Sequence, residues 1–277
     1  MGAQKRRRFV ALVLCAAATA VSATTQHASP RKAATTIRRG GSNAPSPLDD
    51  LRSSLKELRA QAPITHGLLH TLLVTFVAAQ HPRTQGLLRG HAVCCRQALR
   101  RGRAHVLLSH AVVTHDPYQL VFSIFALVVM SKPAEASLGT ANFAKLALCS
   151  AVGGAAAAAA AQALGARGGV TGLGGVVFGC GAYRVLAAPW QRVSVLFVPR
   201  LFLASHVGAA VLAFDALMAL CGHPGSAMHL GGAAAGAALH RSGLLRRRVR
   251  RWTPPPPPPS PALPPPETSL SLFDEQA

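Results

Sequence analysis

One histidine stands apart among the side chains able to do chemistry. His229 lies in "AMHLGGAAAGAAL", a glycine- and alanine-rich apolar stretch with no other ionisable group. A neutral imidazole can take a proton from a nearby hydroxyl and so activate a nucleophile. Upstream, "GGVTGLGGVVFGCGAY" (Gly168–Tyr183) carries no charge before Arg184. Ser226 lies three residues before His229, and at that spacing it shares the end of the same helix instead of facing the ring across a cleft. Ser205 adjoins His206, and neighbours on a helix point to different faces; Ser150 lies in a separate apolar segment. Taken alone, an imidazole on an apolar face ordinarily packs and hydrogen-bonds. His110, His115, His206 and His223 lack metal-ligand spacing. The cysteines (Cys15, Cys94, Cys95, Cys149, Cys180 and Cys221) contain no CxxC pair, and a thiol in an apolar segment behaves as a small hydrophobe. No metal, cofactor or disulfide framework is expected.

The elements that must position His229 are apolar. Of 277 residues, 50% are hydrophobic and 14% charged, against about 25% charged in a typical soluble domain. The segments Ile64–Gln80, Pro117–Met130, Leu146–Ala166, Gly168–Tyr183, Val193–Phe214 and Pro224–His240 are candidate spans. A span needs about 20 apolar residues, fewer where helices are buried among others. The expectation is an all-α, polytopic membrane bundle of six spans over residues 63–240. Its glycines would weaken helices in water, whereas in lipid small residues let backbones approach. "GVVFG" (Gly175–Gly179) and "GAAAG" (Gly232–Gly236) share the GxxxG spacing. Together they predict that the fourth and sixth spans pack against each other.

The flanks are basic. The formal net charge is +20 and the isoelectric point about 11.5. The arginines flank apolar segments without interleaved aromatics, which disfavours nucleic acid and suits anionic lipid headgroups. Residues 1–46 contain no acid: "KRRR" precedes the apolar run Phe9–Ala20 and the small-residue step Val21–Ala23, then a Ser/Thr/Arg-rich stretch follows. This has the pattern of a signal peptide followed by a transit peptide, or of one mitochondrial presequence. Residues 47–62 read as a short amphipathic helix. Arg241–Arg251 reads as a juxtamembrane anchor. The Pro-rich segment after Trp252 is expected to be polyproline II followed by disorder, as a spacer or a ligand for an SH3 or WW groove. Arginines in both Pro82–Arg103 and Arg241–Arg251 leave the orientation unsettled by the positive-inside rule.

The order of these features resembles the rhomboid family of intramembrane serine proteases, over Ile64 to His240. In that family six helices surround a G-x-S-G motif opening the fourth helix and a histidine preceding G-G-x-x-x-G on the sixth. "HLGGAAAG" (His229–Gly236) matches the second motif, and "GLGGVVFG" (Gly172–Gly179) matches the first at every glycine. "AEASLGTANF" resembles the E-x-x-x-G segment through Glu135 and Gly139. "FDALMAL" resembles the mitochondrial presenilin-associated branch through Asp215.

The resemblance implies His229 as general base and position 174 as nucleophile, but Gly174 stands where the family has serine. Losing the nucleophile of such a pair costs about as much as losing the whole set, on the order of 10⁶-fold in turnover. The second-helix H-x-x-x-N, which donates to an oxyanion, is matched by "QLVFS", with Gln119 and Ser123 at its two places; His110 and His115 offer a shifted alignment. The implied function is a rhomboid-like membrane protein without protease activity that binds transmembrane helices of clients and keeps the family's lateral opening and bilayer thinning. The alternatives are an active endopeptidase with a non-standard nucleophile, or a structural membrane protein whose motifs reflect Gly/Ala bias. The expected location is an organellar membrane, plastid or mitochondrial inner, or else the endomembrane system.

Overall fold

Proline and glycine divide the chain. The structure, a computed structural model, describes residues 47–194 and 201–245. The proposed targeting segment, Arg200, Arg246–Arg251 and the Pro-rich tail lie outside the described residues. Proline opens five helices: α1 (Pro47–Gln61), α2 (Pro63–Gln80), α3 (Pro82–Ala92), α6 (Pro117–Leu138) and α10 (Pro224–Ser242). A proline suits the first turn because its missing N–H would have no partner there. Between α3 and α6 lie the short helices α4 (Arg96–Arg100) and α5 (Val106–Ser109), then a 3₁₀ turn at His110–Val112. Gly139, at φ +77°, stops α6. Next come α7 (Thr140–Ala163), α8 (Gly174–Ala187) and α9 (Ala204–Leu220).

Two sequence expectations need correction. Gly168–Leu173 is loop and not the start of the fourth helix: Gly168 and Gly172 take φ +93° and +101°, a left-handed backbone that helices exclude. The fifth span does not begin at Val193. Arg192–Ser194 (β1) pairs antiparallel with Leu201–Leu203 (β2), joining Arg192 to Leu203 and Val193 to Phe202, and the helix starts at Ala204. The all-α membrane-type bundle is present, and among the described residues Pro117–Leu138 and Thr140–Ala163 are the helices both long and apolar enough to cross a bilayer, while Gly174–Ala187 and Ala204–Leu220 are apolar but shorter.

Helix α6 runs past Met130 because a π turn at Leu127–Ser131 absorbs a proline. Pro133 cannot donate to the carbonyl of Val129, four residues back, and its ring crowds that oxygen. The helix widens there, and Arg184 on α8 donates from Nη1 to Val129 O at 3.0 Å. A backbone oxygen that would otherwise be orphaned among apolar groups is thereby satisfied. Two residues on, the fully buried Glu135 closes the start of α2. Its carboxylate accepts from Ile64 N (2.9 Å), Thr65 N (2.8 Å) and Thr65 Oγ1 (2.8 Å). Ala62, at the cap position of α2, supplies no side-chain bond, so a distant helix satisfies the donors that a local cap would ordinarily take.

Helices α7, α8 and α10 meet backbone to backbone. A Cβ at Gly232 or Gly236 would collide with the main chain of Gly175 or Gly179. One at Gly179 would strike Ser150 Oγ, and one at Gly154 would lie 2.9 Å from Met228 O and 3.2 Å from Gly175 Cα. The expected packing of the fourth and sixth spans is therefore present, with α7 as a third partner. Phe76, Leu120, Ile124, Leu127, Phe143 and Leu146 fill the main core. Large apolar side chains also face outward on several helices, among them Val74, Phe122, Leu148, Phe214 and Leu217. So broad an apolar exterior is foreign to a water-soluble monomer.

Candidate functional site

His229 lies on the second turn of α10, where three helices converge. Its Nδ1 is 3.1 Å from Asp215 Oδ1 on α9. Asp215 is one of only two buried residues on α9, and a carboxylate on an otherwise apolar helix needs such a partner. An ionised carboxylate only accepts, so Nδ1 carries the hydrogen and, in the neutral ring, Nε2 keeps its lone pair. The ring stacks on Phe178 of α8, with centroids 4.1 Å apart and planes 7° from parallel. Carboxylate and phenyl ring together fix the imidazole's tilt and tautomer.

The free edge of the ring meets Gly174, the first residue of α8. A Cβ there would lie 2.5 Å from Nε2 and 2.6 Å from Cδ2. The imidazole thus occupies space that any side chain at 174 would need. No serine hydrogen-bonds to His229 among the described residues: Ser226 shares its helix, Ser205 lies at the start of α9, and Ser150 is buried beneath Gly179.

An open cleft of about 590 Å³ leads to the ring, lined by Gln119, Phe122, Ser123, Thr171, Gly174, Phe178 and His229. Gln119 is engaged at both ends of its amide. Nε2 donates to Thr171 O at 2.7 Å, and Oε1 accepts from Thr114 Oγ1 at 3.0 Å. A Cβ at Gly172 would collide with that Nε2, so glycine is required there by space as well as by φ. Ser123 is buried in the cleft wall one turn along α6. His110 is buried behind the loop, with Nδ1 3.0 Å from Val106 O, and its own carbonyl accepts from Gly172 N at 2.7 Å. His115 lies against a separate cavity on the other side of Gly169–Thr171. Packing glycines Gly175, Gly179, Gly232 and Gly236 form the seam beneath the ring. Among the described residues, no group of three His, Cys, Asp or Glu side chains is arranged to hold a metal ion.

Sequence reasoning used Asp215 only as a branch marker and missed its bond to His229. The available signal was a lone acid in "FDALMAL", which cannot sit in apolar surroundings unpaired. Phe178 gave no signal beyond its place one turn after Gly174.

Bundle and cleft define an integral membrane protein in which a partly buried histidine, paired with a buried aspartate, opens on a groove lined by polar and apolar side chains. The Rhomboid domain family model matches residues 101–245, more than half of the 277 residues, and the chain belongs to the rhomboid family. Curated proteins give no significant match.

Proposed function

We propose that this rhomboid-family membrane protein is a proteolytically silent member that holds transmembrane helices of client proteins at its cleft. The observation that carries the reading is Gly174. Where an acyl-transfer enzyme of this family needs a hydroxyl between α8 and the imidazole, there is an α-carbon with the ring pressed against it. Gln119 supports the same reading, since its amide is already bonded to Thr171 and Thr114 and is not held ready for an oxyanion. The groove itself persists. Phe122 on α6 and Phe214 on α9 are exposed on the apolar exterior, where a single apolar helix would find van der Waals partners. In this reading α2, α6, α7, α8, α9 and α10 cross the bilayer, with the shorter ones placed within a bundle that thins the membrane locally. The basic N-terminal segment directs the chain to a mitochondrial or plastid membrane, and the Pro-rich tail is a spacer or an SH3- or WW-type ligand.

The test is the full chain in proteoliposomes with a helical membrane substrate and a serine-directed fluorophosphonate probe. The expected result is no cleavage and no labelling, with substrate crosslinked to a photoreactive group placed at Phe122. Cleavage that disappears in His229→Ala would overturn the reading and establish a non-standard nucleophile.

A further inference from the structure

A second cavity, of about 400 Å³, lies on the far side of the loop that walls the cleft. Its rim carries Arg89 from α3, Arg101 just after α4, and Arg103. No acid lines it, and among the described residues the one ion pair is His229–Asp215. Three guanidiniums therefore share a concavity without a counter-charge. Arg103 is anchored by a bond from Nη1 to Gly90 O at 2.8 Å, which aims one fork while leaving its remaining donors. His115 also lines the cavity, and both its ring nitrogens are buried without a protein partner. Burial, and next to it the charge of Arg89, holds its pKa below the ordinary histidine value. Buried polar atoms ordinarily find partners, and two unpartnered ring nitrogens beside three guanidiniums suit an anionic ligand.

We propose that this cavity is a phosphate-binding site, formed by Arg89, Arg101, Arg103 and His115 against the Gly169–Thr171 backbone. Planar guanidinium forks match tetrahedral phosphate oxygens by paired N–H bonds. The surroundings favour the phosphodiester of an anionic phospholipid. The segment between α2 and α6 that carries these arginines also exposes Leu87 and Leu108, and a segment presenting both apolar and cationic side chains suits the headgroup level of a bilayer. Gly169 and Thr171 line both this cavity and the cleft. A bound headgroup would thus brace the same backbone whose carbonyl, at Thr171, receives Gln119.

The experiment is thermal unfolding of the full chain in neutral detergent with added short-chain phosphatidylglycerol, short-chain phosphatidylcholine, inorganic phosphate or an acidic peptide. Arg89→Gln/Arg101→Gln is compared with Arg192→Gln, which lies outside the cavity. The expected result is stabilisation by phosphatidylglycerol and not by phosphatidylcholine, with apparent affinity about ten-fold weaker in the double variant and unchanged in Arg192→Gln. Stabilisation by inorganic phosphate at similar concentration, with the same loss in the double variant, supports the site with free phosphate as its source. Equal response of the double variant and the unsubstituted chain overturns the proposal, as does a response confined to the acidic peptide. Because binding is read without any client or cleavage, the result stands apart from the test of the silent-protease reading.

Discussion

At position 174 a missing side chain has been answered by its neighbour. The imidazole of His229 lies so close to Gly174 that a β-carbon would fall 2.5 Å from Nε2, inside any van der Waals contact. Asp215 and Phe178 hold the ring there from two sides. Putting the family's serine back is therefore an insertion into filled space and not a simple repair. Gly174→Ser is expected to lower stability by about 1–3 kcal/mol, the range for overpacking a fitted core, read as a fall in Tm. Its fluorophosphonate labelling is expected to stay near background, because the ring must shift before Oγ can be both placed and deprotonated. Strong labelling would show that the ring gives way easily. The position of His229 was legible from its motif; its bond to Asp215 was not. That bond spans fourteen residues and a turn, and depends on how far α9 is rotated, which no spacing records.

Between helices, the seam of α7, α8 and α10 depends on absent Cβ atoms. Gly232→Ala places a methyl against the Gly175 backbone. It is expected to destabilise the bundle by about 1–3 kcal/mol, whereas Gly225→Ala, on the same helix with open space around its Cβ, is expected to be neutral or slightly stabilising. Thermal unfolding of the two variants in one detergent gives the comparison. The seam was readable because GxxxG repeats on one face of a helix. The π turn was not readable, although Pro133 stood in plain view. Whether a proline ends a helix or is absorbed depends on a donor for the freed oxygen, and here Arg184 comes from α8. Arg184→Met leaves Val129 O without that donor and is expected to cost about 1–3 kcal/mol, by the same unfolding measurement; Pro133→Ala added to it should recover part of the loss. The hairpin of β1 and β2 was missed for a different reason. "RVSVLFVPRLFL" is rich in β-branched and aromatic residues, which suit strands, but its apolarity read as part of a span.

For the whole molecule, the solvent decides which groups can react. Cys221, at the end of α9, and Cys149, on α7, are both exposed at the protein surface, whereas Cys94 is buried. Burial first, and then the neighbouring Cys95, push the Cys94 thiol up to about 11. Only a thiolate attacks efficiently, so Cys94 is expected to stay unlabelled near neutral pH and to gain reactivity only as pH approaches that value. In a Cys15→Ser background reconstituted in liposomes, a charged maleimide is expected to modify Cys221 and spare Cys149, whose surface lies along an apolar helix. Peptide mapping by mass spectrometry distinguishes the sites. Modification of Cys149 as fast as Cys221 would place α7 in water.

Apart from Asp215, little of α9 is buried beyond Ala204 at its first turn. The helix packs on α8 and α10 through partly buried residues, with Gly208 against Val185, and its one buried polar tie among the described residues is the carboxylate that also steadies the imidazole. Anything that wedges this outer helix aside also unclips the ring and frees it to turn away from Gly174. On the proposed client-binding reading, a guest entering from the lipid would thus change the shape of its own berth, and the corner beside the α-carbon would open only while the guest is aboard.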